Sequence, residues 1–243
     1  MKKIIIVGAT SGIGNCLAKE FINLGWKVGV AGRRIDLLDE LKALSPSMVE
    51  VQDVDVMADN ARDNLQLLID KVGGMNVFLL VSGVGKQNPG LEEEIEEQTI
   101  KTNVLGFTLM VDEAYKYFRD QDIDGHIAVI SSIAGTKGLG VAASYSASKG
   151  YQNIYIEALS QLSVINNDKI SFTDIRPGFV DTQLLSGGKK YPMMLSPEYT
   201  AKQIVKAILN KKKVSVIDWR YRIMVFFWKL IPRSIWCRLK VKN

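Results

Sequence analysis

Residues 3–14 read KIIIVGATSGIG, and this stretch decides the architecture. The first half, KIIIVG, is a short run of β-branched apolar residues, the pattern of a strand buried on both faces. The run stops at Gly8 in a glycine-rich turn, and an amphipathic stretch over about 13–25 follows. A strand that turns through glycines directly into a helix leaves the free N–H groups of the helix N-terminus facing the turn, where an anion is favoured. The three glycines divide the work. Gly8 permits the tight turn, Gly12 lets a phosphate approach the backbone, and Gly14 lets the helix pack close to the strand. The spacing is G-x-x-x-G-x-G rather than the commoner G-x-G-x-x-G.

The same alternation continues in both halves of the chain. Short apolar runs recur as KVGVAG, VEVQDVDV, VFLLVSG, HIAVISS, ISFTDIRPG and VSVID. Between them, periodic stretches predict helices over about 34–44, 59–72, 95–119, 143–165 and 197–210. Strands separated by helices must run parallel, so the pattern predicts an α/β, Rossmann-like, doubly wound parallel sheet of about seven strands with helices on both faces. No linker or repeat interrupts residues 1–218, which read as one dinucleotide-binding and catalytic domain. Residues 219–243 lie outside the alternation and read as a C-terminal amphipathic extension of it.

Composition narrows the function classes. The chain has 243 residues, enough for a substantial core, and 31 Lys and Arg against 26 Asp and Glu give a net charge of +5. That excess is concentrated near the C-terminus, while EEEIEE (92–97) is acidic, so a general nucleic-acid surface is the poorer reading. Cys16 and Cys237 form no ligand or redox spacing and are read as reduced thiols of a cytoplasmic protein. The opening MKKIIIVG breaks at Gly8 and is too short for a secretion signal, and no segment has the length of a membrane span. No metal site is expected. The single histidine, His126, opens the fifth apolar run and reads as a strand-edge residue rather than a catalyst.

Two further stretches carry chemistry. The second strand ends in AGRR, where a carboxylate would bind a ribose 2′-hydroxyl, whereas Arg33 and Arg34 suit a 2′-phosphate. At the end of the third strand, Asp55 and Asp53 compete for an adenine amino group. In YSASK (145–149) a tyrosine precedes a lysine by four residues, which places both on one helix face. Free tyrosine titrates near 10, so acid–base work near neutrality needs a downward shift of about three units, or ~4 kcal/mol. A cation about 4 Å away at an effective dielectric near 20 supplies roughly that amount.

These pieces together resemble the short-chain dehydrogenase/reductases over almost the full chain. The order is GATSGIG (8–14), DV (55–56), LVSG (80–83), TNVLG (102–106), ISS (130–132), YSASK (145–149) and RPGFVDT (176–182). The resemblance implies an oxidoreductase that reduces a carbonyl to an alcohol, or the reverse. Its cofactor would be NADP(H), with NAD(H) the alternative, and its partner a small carbonyl or alcohol. Tyr145 would be the general acid or base, Lys149 would lower the Tyr145 pKa and hold the nicotinamide ribose, and Ser132 would bind the substrate oxygen. Asn103 would anchor a water linking Lys149 to solvent. The cofactor positions implied are Gly8, Thr10, Ser11, Gly12, Ile13, Gly14, Arg33, Arg34, Asp55, Val56, Ser82, Gly83, Tyr145, Lys149, Pro177, Val180 and Thr182.

The chain departs from the family pattern after the fourth strand, where Leu80, Val81, Ser82 and Gly83 stand in place of Asn-Asn-Ala-Gly, and before the first glycine, where Val7 replaces threonine. The stretch 184–197 falls where the family has its substrate lid, with Leu184, Tyr191, Met193 and Met194 as an apolar lining or, equally, a core edge. The helices over 95–119 and 143–165 are the family's pairing surfaces, implying a homodimer or homotetramer. The tail from Trp219 predicts two short amphipathic helices broken at Pro232, whose apolar faces pack either on the protein or a neighbouring subunit, or on a membrane surface. The membrane alternative would make the protein a peripheral reductase of a lipid-like substrate. A dinucleotide-sensing protein without turnover is the alternative outside enzymology.

Overall fold

The computed structural model describes residues 1–183 and 191–241. Seven strands form one sheet: β1 (Lys3–Val7), β2 (Lys27–Gly32), β3 (Val49–Asp53), β4 (Val77–Leu80), β5 (Gly125–Ile130), β6 (Ile170–Arg176) and β7 (Val214–Val216). Their order is β3-β2-β1-β4-β5-β6-β7 and every pairing is parallel. The direction of winding reverses between β1 and β4. A crevice opens there beyond the strand C-termini, and the glycine turn after Val7 lies at its edge.

The helices are α1 (Gly12–Asn23), α2 (Ile35–Leu44), α3 (Ala61–Val72), α4 (Glu93–Ile100), α5 (Phe107–Asp120), α6 (Ala143–Asn166), α7 (Pro197–Leu209), α8 (Trp219–Leu230) and α9 (Arg233–Trp236). Period-2 alternation in β1 divides the core. Ile4 and Ile6 face α1, α2 and α7 through Leu17, Phe21, Leu38, Leu41, Ile204 and Ile208. Ile5 and Val7 face α3, α5 and α6 through Leu65, Leu68, Met110, Val111, Ile156 and Leu159. Both faces of the central strands are covered, which is why their sequences are apolar throughout rather than alternating.

Three expectations change. The helix predicted over 95–119 is interrupted by a π-helical stretch, Lys101–Gly106, between α4 and α5. Gly106 fits there because a Cβ would lie 2.7 Å from the Val56 carbonyl oxygen. The third strand ends at Asp53, leaving Asp55 and Val56 in the turn that follows. His126 is 3% exposed, buried in a central strand with Nε2 2.8 Å from the Thr173 hydroxyl, rather than at a strand edge.

Candidate active site

The crevice between β1 and β4 is shaped by the absence of side chains. Gly8 adopts φ +99°, and a Cβ on it would lie 2.5 Å from the Ser82 backbone nitrogen, so β4 can close on the turn only if residue 8 is glycine. A Cβ on Gly14 would lie 2.0 Å from the Gly8 carbonyl oxygen. Ser11 is the N-cap of α1, yet its side chain bonds none of the first-turn N–H groups. The helix therefore presents an uncapped N-terminus to the crevice, with Ile13 and Gly14 in its first turn.

Around this turn stand the other positions that the sequence singled out. Arg34 donates to the hydroxyls of Thr10 (2.8 Å) and Ser11 (2.9 Å), while Arg33 is exposed and makes no hydrogen bond or ion pair among the described residues. The Asp55 carboxylate accepts from the Met57 N–H at 3.0 Å, whereas Asp53 is exposed. Val56 is buried against Gly106. Thr182 arches over the glycine turn, its methyl 3.0 Å from where a Cβ on Gly12 would stand. Its segment is fixed by the Pro177 carbonyl, which accepts from Ile133, and by a bridge between Val180 and Leu195. An open helix N-terminus, a cradle that Cβ atoms would fill and two arginines at its rim fit a dinucleotide phosphate group.

The crevice leads to the chemistry. A Cβ on Gly83 would lie 3.3 Å from Asn103 Oδ1 and 3.5 Å from Lys149 Nζ, so the cofactor positions after β4 adjoin the catalytic ones. Ser132 follows β5 and its hydroxyl accepts from the Ala134 N–H at 3.0 Å. Tyr145 and Lys149 lie one turn apart on α6, with Nζ 5.9 Å from the tyrosine ring centre. Burial pushes the Tyr145 hydroxyl pKa up, and a hydrogen bond with Ser132 opposes the rise. Burial also draws Lys149 down to about 8, opposed by the Asp174 carboxylate. The net direction at Tyr145 is upward, because desolvation outweighs the Ser132 hydrogen bond.

Asn103 is wholly buried. Its amide clips the segment after β4, accepting from the Val84 N–H (2.9 Å) and donating to the Val84 carbonyl (2.7 Å). The π-helical stretch shifts the backbone register and exposes the Asn103 carbonyl toward α6. The side chain of Gln152 links Asn103 to Lys149. Its Nε2 donates to the Asn103 carbonyl at 2.9 Å and its Oε1 accepts from Lys149 Nζ, also at 2.9 Å. Nζ donates further to the Ile130 carbonyl at 3.0 Å.

Gln152 and Asp174 were not singled out in the sequence. The signal for Gln152 is an amide three residues after Lys149 on the same helix face. For Asp174 it is a carboxylate inside an apolar strand, where it accepts from the Ser131 hydroxyl and pairs with Arg176 at 2.6 Å.

Of the stretch expected to form a substrate lid, residues 191–197 are described. Leu184 lies outside the described residues. Tyr191 stacks on Phe179 with ring centres 4.7 Å apart, and Met193 packs on the core. Met194 lines a shallow cleft of about 420 Å³ with Tyr199, Asp218 and Trp219, which shares no residue with the Tyr145 cluster. Tyr221 of α8 is wholly buried and ties Phe179 to Pro192 and Met193. Its hydroxyl accepts from the Phe179 N–H and reaches the carbonyls of Pro192 and Met193. Trp236 of α9 donates to the Gly138 carbonyl at 2.7 Å and packs with Ala134, Leu139 and Tyr145. The two tail helices, separated at Pro232 as predicted, therefore dock one face on the protein's own body.

Sheet order, glycine crevice and the Ser132–Tyr145–Lys149 cluster define an oxidoreductase of the NAD(P)-binding Rossmann class. The chain belongs to the short chain dehydrogenase family, whose model matches residues 2–190. It is 27% identical over 245 residues to an uncharacterised oxidoreductase of Mycobacterium tuberculosis, covering 97% of this chain and 93% of that one. It is 27% identical over 194 residues to a farnesol dehydrogenase of Aedes aegypti, covering 76% and 79%. Among solved structures, the 3-ketoacyl-(acyl-carrier-protein) reductase of Brucella melitensis complexed with NADH superposes with a TM-score of 0.80 at 22% identity, covering 89% of this chain and 96% of that one.

Proposed function

We propose that the protein reduces an apolar carbonyl compound to the alcohol with NADPH, Tyr145 serving as the general acid. The observation that carries this reading is the position of Tyr145 between the Ser132 hydroxyl and Lys149, against an apolar wall of Ala134, Leu139 and Trp236. Hydride is what a bound nicotinamide contributes; the rest falls to this chain. Ser132 donates to the carbonyl oxygen, and Tyr145 passes its hydroxyl proton to that oxygen as the C–O bond becomes single. Tyr145 is protonated at neutral pH, the form that donates to the carbonyl oxygen. The Lys149 ammonium offsets the charge left on the tyrosine oxygen. Arg33 and Arg34, with no carboxylate beside them at the end of β2, favour a cofactor with a 2′-phosphate. Asn103, through its clip on Val84, positions the floor of the site. The farnesol dehydrogenase relative agrees with an apolar substrate.

The test is NADPH oxidation over a panel of apolar aldehydes and ketones with wild type and Tyr145→Phe. The variant should bind NADPH as wild type does and lose ~10²–10⁴ in rate. Retention of more than about a tenth of the rate rules out the general-acid role, and NADPH binding without turnover on any carbonyl favours a dinucleotide sensor. We further infer a homodimer or homotetramer pairing through α5 and α6, because Leu105, Ile154, Val164 and Ile165 on and beside them are exposed. A monomer mass by light scattering at micromolar concentration contradicts it. The unpaired Cys16 and Cys237 fit the reducing cytoplasm, and recovery from a secreted fraction counts against that location.

A further inference from the structure

The tail helix α8 has two apolar faces, and the fold uses one. Tyr221 and Val225 are buried, with Met224 and Trp228 partly so, all on the side toward the body. On the opposite side Trp219, Ile223, Phe226, Phe227 and Leu230 stand in solvent, Phe226 61% and Phe227 58% exposed. These positions are i, i+4, i+7, i+8 and i+11, so they form one continuous stripe along the helix. Ile235 and Leu239 extend it beyond Pro232. A contiguous patch of this kind on a water-soluble surface marks a contact site.

The charges around the stripe identify its occupant. On the helical wheel Arg220 lies on one flank of the stripe, and Arg222 and Lys229 lie on the other. Arg233, Arg238 and Lys240 continue the cationic margin, and residues 219–243 contain no Asp or Glu. Arg220 is neutralised by Asp218 at 2.8 Å, but Arg222, Lys229, Arg233, Arg238 and Lys240 make no ion pair among the described residues. A second copy of the chain, meeting this face about a two-fold axis, would set the same unpaired cations against each other. An anionic lipid surface instead meets both demands: acyl chains take the aromatic stripe, and headgroups take cations at its margins. With 12 residues, α8 is about 18 Å long and therefore lies along the interface. Among the described residues no helix is long and apolar enough to cross a membrane.

We propose that the outer face of α8 and α9 docks the protein on an anionic membrane surface. The inner face of the same segment carries Tyr221 and Trp236, which hold the segment at Phe179 and the wall beside Tyr145. Docking therefore sets the active site next to the lipid. The proposal does not rest on the reaction assigned above, and its test reads no turnover.

The full chain is sedimented with vesicles of phosphatidylcholine alone, and of seven parts phosphatidylcholine to three parts phosphatidylglycerol. Wild type should sediment with the mixed vesicles and at least ~10-fold less with phosphatidylcholine alone, and its tryptophan emission should shift to the blue. Phe226→Asp with Phe227→Asp should lose at least ~10-fold in binding while keeping the solution mass and unfolding midpoint of wild type. Should that pair misfold, Phe226→Ser with Phe227→Ser repeats the reading. Wild type remaining in the supernatant with mixed vesicles overturns the proposal. Folded Phe variants that bind as wild type does overturn it as well. So does a fall in solution mass on removing the two phenylalanines, which would assign the face to a second copy.

Discussion

Gln152 occupies the junction between Lys149 and the Asn103 carbonyl, and replacing it with leucine isolates what that junction does. Leucine keeps nearly the same volume, so the main loss is two hydrogen bonds, each 2.9 Å long. A bond to a charged group contributes about 1.5–3 kcal/mol. At 1.36 kcal/mol per unit, losing it lowers the Lys149 pKa by about one to two units. Lys149 already titrates at about 8 because it is buried, so in Gln152→Leu it should titrate near ~6–7. The sign is fixed, since removing an acceptor destabilises only the ammonium form. At pH 7.5 the protonated fraction falls from about three-quarters to about a quarter or less, and affinity that depends on the ammonium weakens ~3- to 25-fold. NADPH fluorescence titrations from pH 5.5 to 9 measure this without any substrate. The variant should match wild type near pH 5.5 and fall away earlier as pH rises. The Asn103 carbonyl, left without a partner, should cost about 1–3 kcal/mol of stability in urea unfolding. An unchanged pH midpoint of binding, in a folded variant, refutes the assigned role of Gln152.

Arg33→Asp should cut the preference for NADPH over NADH by roughly 10- to 150-fold, the equivalent of one charge-assisted bond of about 1.5–3 kcal/mol. Equal dissociation constants for the two cofactors in wild type would remove the 2′-phosphate assignment. His126 is held neutral by burial, its pKa lowered from 6.5 to about 4. The unfolded chain therefore takes up that proton first, and stability should fall by about 3 kcal/mol as pH drops from 6.5 towards 4. His126→Gln should flatten this part of the stability curve, measured by urea unfolding at several pH values. An identical slope in the variant would show that other groups control acid unfolding.

Local pattern was enough for much of this protein. The strand–glycine–helix order of residues 3–14, the recurrence of apolar runs and the four-residue interval from Tyr145 to Lys149 are properties of neighbouring residues. Helix and strand periodicity then fixes which of their side chains share a face. The tail's division at Pro232 is equally local, since proline cannot sit inside a helix without breaking its ladder. What depends on distant chain segments was not legible. Gln152 and Asn103 meet across 49 residues of sequence, and only the π-helical stretch at Lys101–Gly106 turns that carbonyl toward α6. Arg34, not Arg33, turns back onto Thr10 and Ser11, and it does so from the N-cap position of α2. Tyr145 shows the same limit in its energetics. Sequence places a cation one turn away, but how far the two groups are desolvated is set by the fold, and burial raises the Tyr145 pKa while lowering that of Lys149. In α8, apolar residues occur all round the helix. Which of them enter the core was decided by the surface it meets, where the Phe179 N–H and the carbonyls of Pro192 and Met193 offer partners to the hydroxyl of Tyr221, and a phenylalanine on that side would have left those groups buried without one.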